Sequence, residues 1–323
     1  MLLITGATGR VGQELVRSLL KRNEKFRILS HDAANACRVF GKNIEIIEAD
    51  LTTPLSFPAI ERACRGVDCI IHLAALVDYS ASEKETMLAN FFSTQQLIKA
   101  AEMQGEEKKP RFVFLSSTSV YRGTSASLMD EKIQRRASNA YGRSKLAAEK
   151  ALEKSSLDFI ILRSVMIYGK SFHEGFSDVI RRIKEGRMHI IGKGDNIVPF
   201  IHVSDVVQAI ELAINSKVKR EDFIITSGES WTQEGLFADI AKRLGVSAPI
   251  KHTPKMLAYL FADFGALKAR LTGGKKFYRE YIFTLCENRR FSTEKAKRLL
   301  KFNPEVKFGN GIKEVLNALG EKK

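Results

Sequence analysis

Leu2-Leu3-Ile4-Thr5-Gly6-Ala7-Thr8-Gly9-Arg10-Val11-Gly12 opens the chain with an apolar run, a turn carrying three glycines, and the start of a helical segment. The run reads as a strand, and Val11–Leu20 has helical spacing. Glycines at these places let a strand turn tightly into a helix. They also let backbone approach a pyrophosphate, which then rests on the free N–H groups of the helix N-terminus. Three glycines alone are weak evidence; the strand before and the helix after make the turn specific for a dinucleotide.

Outward from the turn the rhythm repeats. Phe26–Leu29, Ile44–Ile47, Cys69–Leu73, Phe112–Leu115 and Phe159–Leu162 read as further strands, separated by segments such as Met87–Glu102 with helical spacing. Strands nearly all apolar, alternating with helices, indicate a parallel sheet covered on both faces. After Gly169 the pattern changes. Phe176–Gly186 and Asp205–Asn215 read as helices, Ile197–Val203 as one strand and Phe223–Ser227 as a last strand, and from Thr232 the chain is mostly helical and basic. The expected fold is α/β, a Rossmann-type doubly wound parallel sheet with a smaller, mostly helical C-terminal substrate lobe. Residues 1–169 form the dinucleotide-binding domain in this reading and 170–323 mainly the substrate lobe, with segments near 197–227 returning to the first. There are no internal repeats and no low-complexity segments.

The 323 residues have the composition of an ordinary globular protein and suffice to bury a core without staples. Cys37, Cys64, Cys69 and Cys286 form no C-x-x-C pair, and no histidine cluster has metal-ligand spacing. They read as reduced thiols, and no metal is expected. The first residues run straight into the glycine turn, and no stretch approaches ~18 apolar residues, so the expected location is the cytoplasm. The net charge is +15. Lys251–Lys323 holds 17 Lys/Arg against 7 Asp/Glu. Such a surface attracts anions, yet no nucleic-acid-binding motif accompanies it, so nucleic acid is not an expected partner. The plainest reading is a solvated basic face.

Tyr141-Gly142-Arg143-Ser144-Lys145 places a tyrosine and a lysine at i and i+4, on one face of an expected helix. A free phenol titrates near ~10, and lowering that by two to three units takes roughly 3–4 kcal/mol, which a cation about 4 Å away supplies. The spacing is common by chance. Ser117 makes it specific, because it ends the fifth strand, where a parallel sheet presents ligand-contacting residues.

Turn, serine and Tyr/Lys pair, in that order, resemble the extended short-chain dehydrogenase/reductases, the NAD-dependent epimerase/dehydratase family. Thr5-Gly6-x-x-Gly9-x-x-Gly12 has that family's spacing, as does the 24-residue separation of Ser117 and Tyr141. The similarity continues through Ala49-Asp50-Leu51, His72-Leu73-Ala74-Ala75, Asn90, Leu162-Arg163, Tyr168-Gly169 and Phe200–Val206 to Glu294-Lys295-Ala296. It implies that Gly6, Thr8, Gly9, Arg10, Val11 and Gly12 hold the pyrophosphate end of a nicotinamide dinucleotide. Asp50 and Leu51 would meet the adenine, and Leu73, Ala74 and Ala75 would run under the ribose. Asn90, Val165, Tyr141 and Lys145 would complete the cofactor set. It further implies catalysis by Ser117, Tyr141 and Lys145: Tyr141 as general acid/base, Lys145 depressing its pKa and bonding the ribose, and Ser117 holding the substrate oxygen. A homodimer through helices of the first domain is a family expectation.

The second strand ends Leu29-Ser30-His31-Asp32, without the carboxylate at position 30 that would select a ribose 2′-OH. His31 and Arg10 suit a 2′-phosphate, so NADP is favoured with NAD as the alternative, Asp32 being the residue that argues against. Thr118 and Ser119 stand where sugar dehydratases carry Asp-Glu. Asn196–Phe200 lacks the arginine that clamps a sugar nucleotide's diphosphate, and Met166 replaces the usual asparagine, although Arg289 and Arg290 could serve a phosphate. The C-terminal lobe resembles the 3β-hydroxysteroid dehydrogenase and dihydroflavonol reductase branch. Met256, Leu257, Leu260, Phe261, Phe264, Leu267 and Leu271 fall on one helical stripe, with Lys268, Arg270, Lys275 and Lys276 nearby. That stripe reads as a helix packed on its own core, a lid over an apolar pocket, or a peripheral contact with an anionic membrane. The expected activity is interconversion of a hydroxyl and a ketone on a rather apolar small-molecule substrate. A nucleotide-sugar 4-epimerase and a non-catalytic dinucleotide-binding scaffold are the alternatives.

Overall fold

A computed structural model describes residues 1–78, 81–105, 109–122, 127–248, 251–272 and 286–320, the side chains of 173–177 and 266–272 excepted. Lys275 and Lys276 lie outside the described residues, as do the side chains of Leu267, Lys268, Arg270 and Leu271.

In chain order the first part of the molecule comprises β1 (Leu2–Thr5), α1 (Arg10–Lys21), β2 (Phe26–Ser30), α2 (Ala33–Phe40), β3 (Glu45–Glu48), α3 (Phe57–Cys64) and β4 (Cys69–His72). Next comes α4 (Glu83–Thr86), which widens into a π turn at Met87–Phe92 and continues as α5 (Ser93–Glu102). Then follow β5 (Arg111–Ser117), α6 (Ala140–Lys154), β6 (Phe159–Ser164), β7 (Met166–Tyr168) and α7 (His173–Lys184). The remainder is β8 (His189–Ile191), β9 (Ile197–Val198), β10 (Phe200–His202), α8 (Val203–Asn215), β11 (Glu221–Ile225), β12 (Trp231–Thr232), α9 (Gln233–Leu244), β13 (Lys251–Thr253), α10 (Lys255–Thr272), α11 (Glu294–Leu300) and α12 (Phe308–Ala318).

Seven strands form one parallel sheet in the order β11-β6-β5-β4-β1-β2-β3. Alternate residues of each strand serve opposite faces, as period-two geometry requires. Ile4, Ile28, Ile71, Val113 and Ile160 pack on one side with α1 and α8. Leu3, Leu29, Ile70, Phe112 and Ile161 pack on the other with α3, α5 and α6. The doubly wound α/β fold expected from the sequence is therefore present. Strand order reverses between β1 and β4, the place where such sheets open a crevice at their carboxyl edge.

The segment Ile197–Val203 is not one strand. Pro199 has no N–H to give a ladder, and the run divides there: β9 pairs antiparallel with β12, and β10 parallel with β7. Beyond β7, Tyr168, Phe200, Leu236, Ile240 and Phe308 form a separate buried cluster. The Asp205 carboxylate ties α8 to this part of the chain by accepting from the N–H groups of Glu305 at 2.9 Å and Val306 at 3.3 Å.

Candidate active site

The glycine turn lies at the crevice. Gly6 has φ +69°, and a Cβ there would sit 2.5 Å from the Ala74 nitrogen, so glycine lets the loops after β1 and β4 touch. A Cβ on Gly12 would lie 2.2 Å from the Gly6 oxygen, so only glycine lets α1 start this close to the turn. Gly9 is the N-cap of α1 and is exposed; no side chain caps the helix, and no acid stands in its first turn. An uncapped N-terminus facing solvent suits a pyrophosphate. Val11 is buried under it, and Thr8 is half-buried with its carbonyl accepting from Gln13 Nε2 at 2.9 Å. The Arg10 guanidinium lies 5.5 Å from the centroid of Phe172, so the following lobe reaches the turn. These features fit a dinucleotide.

At the other end of the crevice, Asp32 caps α2 by accepting from the Asn35 N–H at 2.8 Å. Its carboxylate, the residue that argued for a ribose hydroxyl, is engaged with its own helix. His31 beside it is exposed. Burial opposes the Asp50 charge, but hydrogen bonds from the Thr52 hydroxyl and N–H, with His31 nearby, hold its carboxyl below the ordinary range. The structure thus brings His31 and Asp50 together. Leu51 is buried, and Leu73, Ala74 and Ala75, which follow β4, are half-buried.

Ser117 ends β5 in register with Ser164 of β6, which leads into the buried Val165. Ser117 Oγ donates to Ser119 Oγ at 3.1 Å within a 3-10 turn, Thr118–Val120. α6 presses onto that turn. Its N-cap, Asn139, accepts from the Gly142 N–H at 2.7 Å, and a Cβ on Gly142 would stand 2.2 Å from the Ser119 oxygen. The glycine inside the Tyr141–Lys145 motif is therefore what allows the helix to approach Ser117. Tyr141 and Lys145 are both buried, at 7 % and 2 % exposure. Lys145 Nζ donates to the Leu115 carbonyl at 2.8 Å and sits 4.4 Å from the Phe114 ring centroid. Burial pulls this ammonium down to about 7, against the opposing pull of Glu149. A buried amine that titrates near neutrality is the kind of perturbed group that marks a reaction site.

Sequence reading missed what holds these groups in place. Asn90, in the π turn, clamps Leu76: its Oδ1 accepts from the Leu76 N–H at 2.7 Å, and its Nδ2 donates to the Leu76 carbonyl at 3.1 Å. The same Nδ2 donates to Ser144 Oγ at 2.9 Å, and Ser144 donates to the Tyr141 carbonyl at 2.8 Å. His72 is fully buried, with Nδ1 2.7 Å from Thr5 Oγ1 and Nε2 3.0 Å from Thr94 Oγ1. Further along α6, buried Glu149 accepts from Ser116, Arg135 and Arg163. The only sequence signals were the asparagine before a helix and polar residues inside apolar segments. Arg289 is committed to Glu287 and the Tyr121 carbonyl. With Arg290, Thr226, Ser230, Phe291 and Lys297 it lines a cavity of about 160 Å³. Among the described residues no group of three or more His, Cys, Asp or Glu could hold a metal ion.

The chain is 26% identical to the uncharacterized protein y4nG of Sinorhizobium fredii over 78% of this chain, but spans only 62% of that protein. It is 25% identical to the 2-alkyl-3-oxoalkanoate reductase of Stenotrophomonas maltophilia over 97% of this chain and 98% of that one. The UDP-glucose 4-epimerase structure from Thermotoga maritima has the same fold, with a TM-score of 0.77 over 99% of this chain and 98% of that one at 19% identity. The model of the NAD dependent epimerase/dehydratase family matches residues 2–226. With most of its length matched, the chain belongs to that family and is an enzyme of the extended short-chain dehydrogenase/reductase type.

Proposed function

We propose that the enzyme interconverts a hydroxyl and a ketone on a rather apolar substrate, with NADP as its cofactor. The observation that supports the chemistry is the seating of α6, which carries Tyr141 and Lys145, against β5 and the turn after Ser117: Gly142 lets it close on the Ser119 carbonyl and Lys145 reaches the Leu115 carbonyl. A bound nicotinamide dinucleotide supplies the hydride chemistry. In the oxidising direction the hydroxyl proton passes to Tyr141 Oη as the carbon gives up hydride; in reduction Tyr141 returns it. Ser117 donates to the same substrate oxygen and steadies the charge that develops there. Lys145, as the cation, favours the phenolate form of Tyr141.

Three observations support this substrate class over dehydration or a sugar nucleotide. Thr118 and Ser119, in place of an acidic pair, are buried. Met166, just past Val165, and Val77, just past Leu73–Leu76, are exposed apolar side chains next in sequence to expected cofactor residues. The similarity to an oxoalkanoate reductase points the same way. For the cofactor, Asp32 spends one carboxylate oxygen on the α2 cap, and the exposed His31 and Arg10 supply groups suited to a 2′-phosphate.

Nucleotide-sugar epimerisation is the second reading. It uses the same three groups, the family includes such enzymes, and Arg290 lines a cavity with polar neighbours such as Ser230 and Thr226. Titration with NADPH and NADH, followed by turnover assays with hydrophobic ketones and with UDP-sugars, separates the two. Tight NADPH binding with ketone-dependent oxidation is expected, and His31→Asp should move the preference toward NADH by roughly tenfold. NADH preference with UDP-sugar interconversion would replace the first reading by the second.

A further inference from the structure

α10 is built inside out. Its packed side is formed by the small residues Ala258 and Ala262, which with Tyr259 meet Ile191 and Cys286. Its large apolar residues point the other way: Met256, Leu257, Leu260, Phe261 and Phe264 are between 43 % and 78 % exposed. A helix on the surface of a globular protein ordinarily buries its large apolar stripe and exposes polar residues. Elsewhere on the described chain exposed large apolar residues occur singly or in pairs; here five fall within nine positions, a grouping that marks an interaction surface.

We propose that this face docks on an anionic lipid bilayer. Charge selects the occupant. Between residues 251 and 276 the sequence carries Lys251, Lys255, Lys268, Arg270, Lys275 and Lys276 against a single acid, Asp263. Lys251, His252 and Lys255 are exposed at the start of the helix. An apolar stripe bordered by cations is matched by acyl chains beneath anionic headgroups. A second copy of the chain would bring two such basic borders together, in a protein whose net charge is already +15. Among the described residues no helix is long and apolar enough to cross a membrane. The helix would therefore lie along the interface.

Co-sedimentation of the full chain with vesicles tests this. Vesicles of phosphatidylcholine containing about one-third phosphatidylglycerol should bind the protein roughly tenfold or more better than pure phosphatidylcholine, and binding should weaken as salt is raised. The double variant Phe261→Ser/Phe264→Ser should lower partitioning into the anionic vesicles by about tenfold or more. Both side chains are exposed and distant in sequence from the cofactor turn, so its thermal unfolding and its NADPH titration should match the parent and exclude misfolding. Absence of binding to anionic vesicles, or equal binding by parent and variant, would overturn the proposal. So would a dimer, seen by light scattering and abolished by the variant, without vesicle binding; the face would then belong to a second copy.

Discussion

Asn90 Nδ2 donates to Ser144 Oγ at 2.9 Å, one residue before Lys145. The contact is the last link but one in a hydrogen-bonded path from the end of β1, beside the glycine turn, to α6. Thr5 Oγ1 accepts from the Ala74 N–H at 3.3 Å and meets His72; His72 meets Thr94; Thr94 donates to the Asn90 carbonyl at 2.5 Å; Ser144 ends the path on the Tyr141 carbonyl. The π turn makes the path feasible, because its widened ladder leaves the Asn90 carbonyl to a side chain, and such turns recur at functional sites.

Asn90→Ala should therefore act on both stability and turnover. It leaves the Leu76 N–H and carbonyl without their clamp, at a cost of about 1–3 kcal/mol. It also frees α6 to shift against the loop after β4, and kcat/KM should fall roughly 10- to 100-fold. Urea unfolding and steady-state kinetics on the same preparation measure the two effects.

Gly142→Ala tests the approach of α6 to Ser117. The added Cβ meets a backbone oxygen at 2.2 Å, and backbone cannot swing aside. A loss of about 1–3 kcal/mol is expected, with turnover falling further than stability because Ser117 and Tyr141 are pushed apart. Lys150→Ala, on the exposed side of the same helix, should change neither. Parent-like turnover in Gly142→Ala would show that the close approach is not needed.

His72 makes stability sensitive to acid. Thr94 spends its proton on Asn90, so Nε2 is the donor and Nδ1 accepts from Thr5; the ring is neutral. Burial, with Lys145 as a lesser contributor, holds its pKa at about 3, against 6.5 when free. Between those values the unfolded chain binds the proton and the folded chain does not. The contribution of His72 is thus complete above pH 6.5 and is lost as pH falls toward 3. Denaturation curves should show stability dropping from pH 7 to pH 5, with a shallower drop in His72→Asn.

Lys145 gives the matching prediction for activity. Its ammonium titrates at about 7 in the unliganded enzyme, and the proposed role needs the charged form. Since kcat/KM follows the free enzyme, it should decline as pH rises through about 7. Lys145→Arg, which stays charged, should lose that limb while reducing the rate through misfit with the Leu115 carbonyl. A pH profile of kcat/KM for parent and variant checks both.

Much of this was legible in the sequence because single segments carried it. The strand–turn–helix at Gly6–Gly12 gave the fold class, since only glycine suits that geometry, and the apolar runs mapped onto the sheet with ends displaced by one or two residues. Ser117, Tyr141 and Lys145 were readable because their order and spacing are local. The supports were not. Asn90 stands out in the sequence only through the family resemblance; its bonds to Leu76 and Ser144, 14 and 54 residues away, appear only once the chain is folded. Glu149 and Arg163 stand 14 residues apart and meet only after α6 folds on β6. Asp32 is a different case: a carboxylate near a ribose site and a carboxylate capping a helix look alike in sequence, and only the fold shows the cap. The stripe on α10 was correctly periodic, yet periodicity cannot say which way a helix faces, and its described large residues face out.

The measurement that tests the central claim most directly is turnover of Tyr141→Phe at saturating NADPH, with dinucleotide titration on the same protein. Loss of one hydroxyl leaves the ring's packing in place and removes at most one of the cofactor's many contacts. Turnover should fall about 10²- to 10⁴-fold with NADPH affinity little changed. Full turnover in that variant would contradict the assignment of Tyr141 as the proton-transferring group, and with it the account of the site.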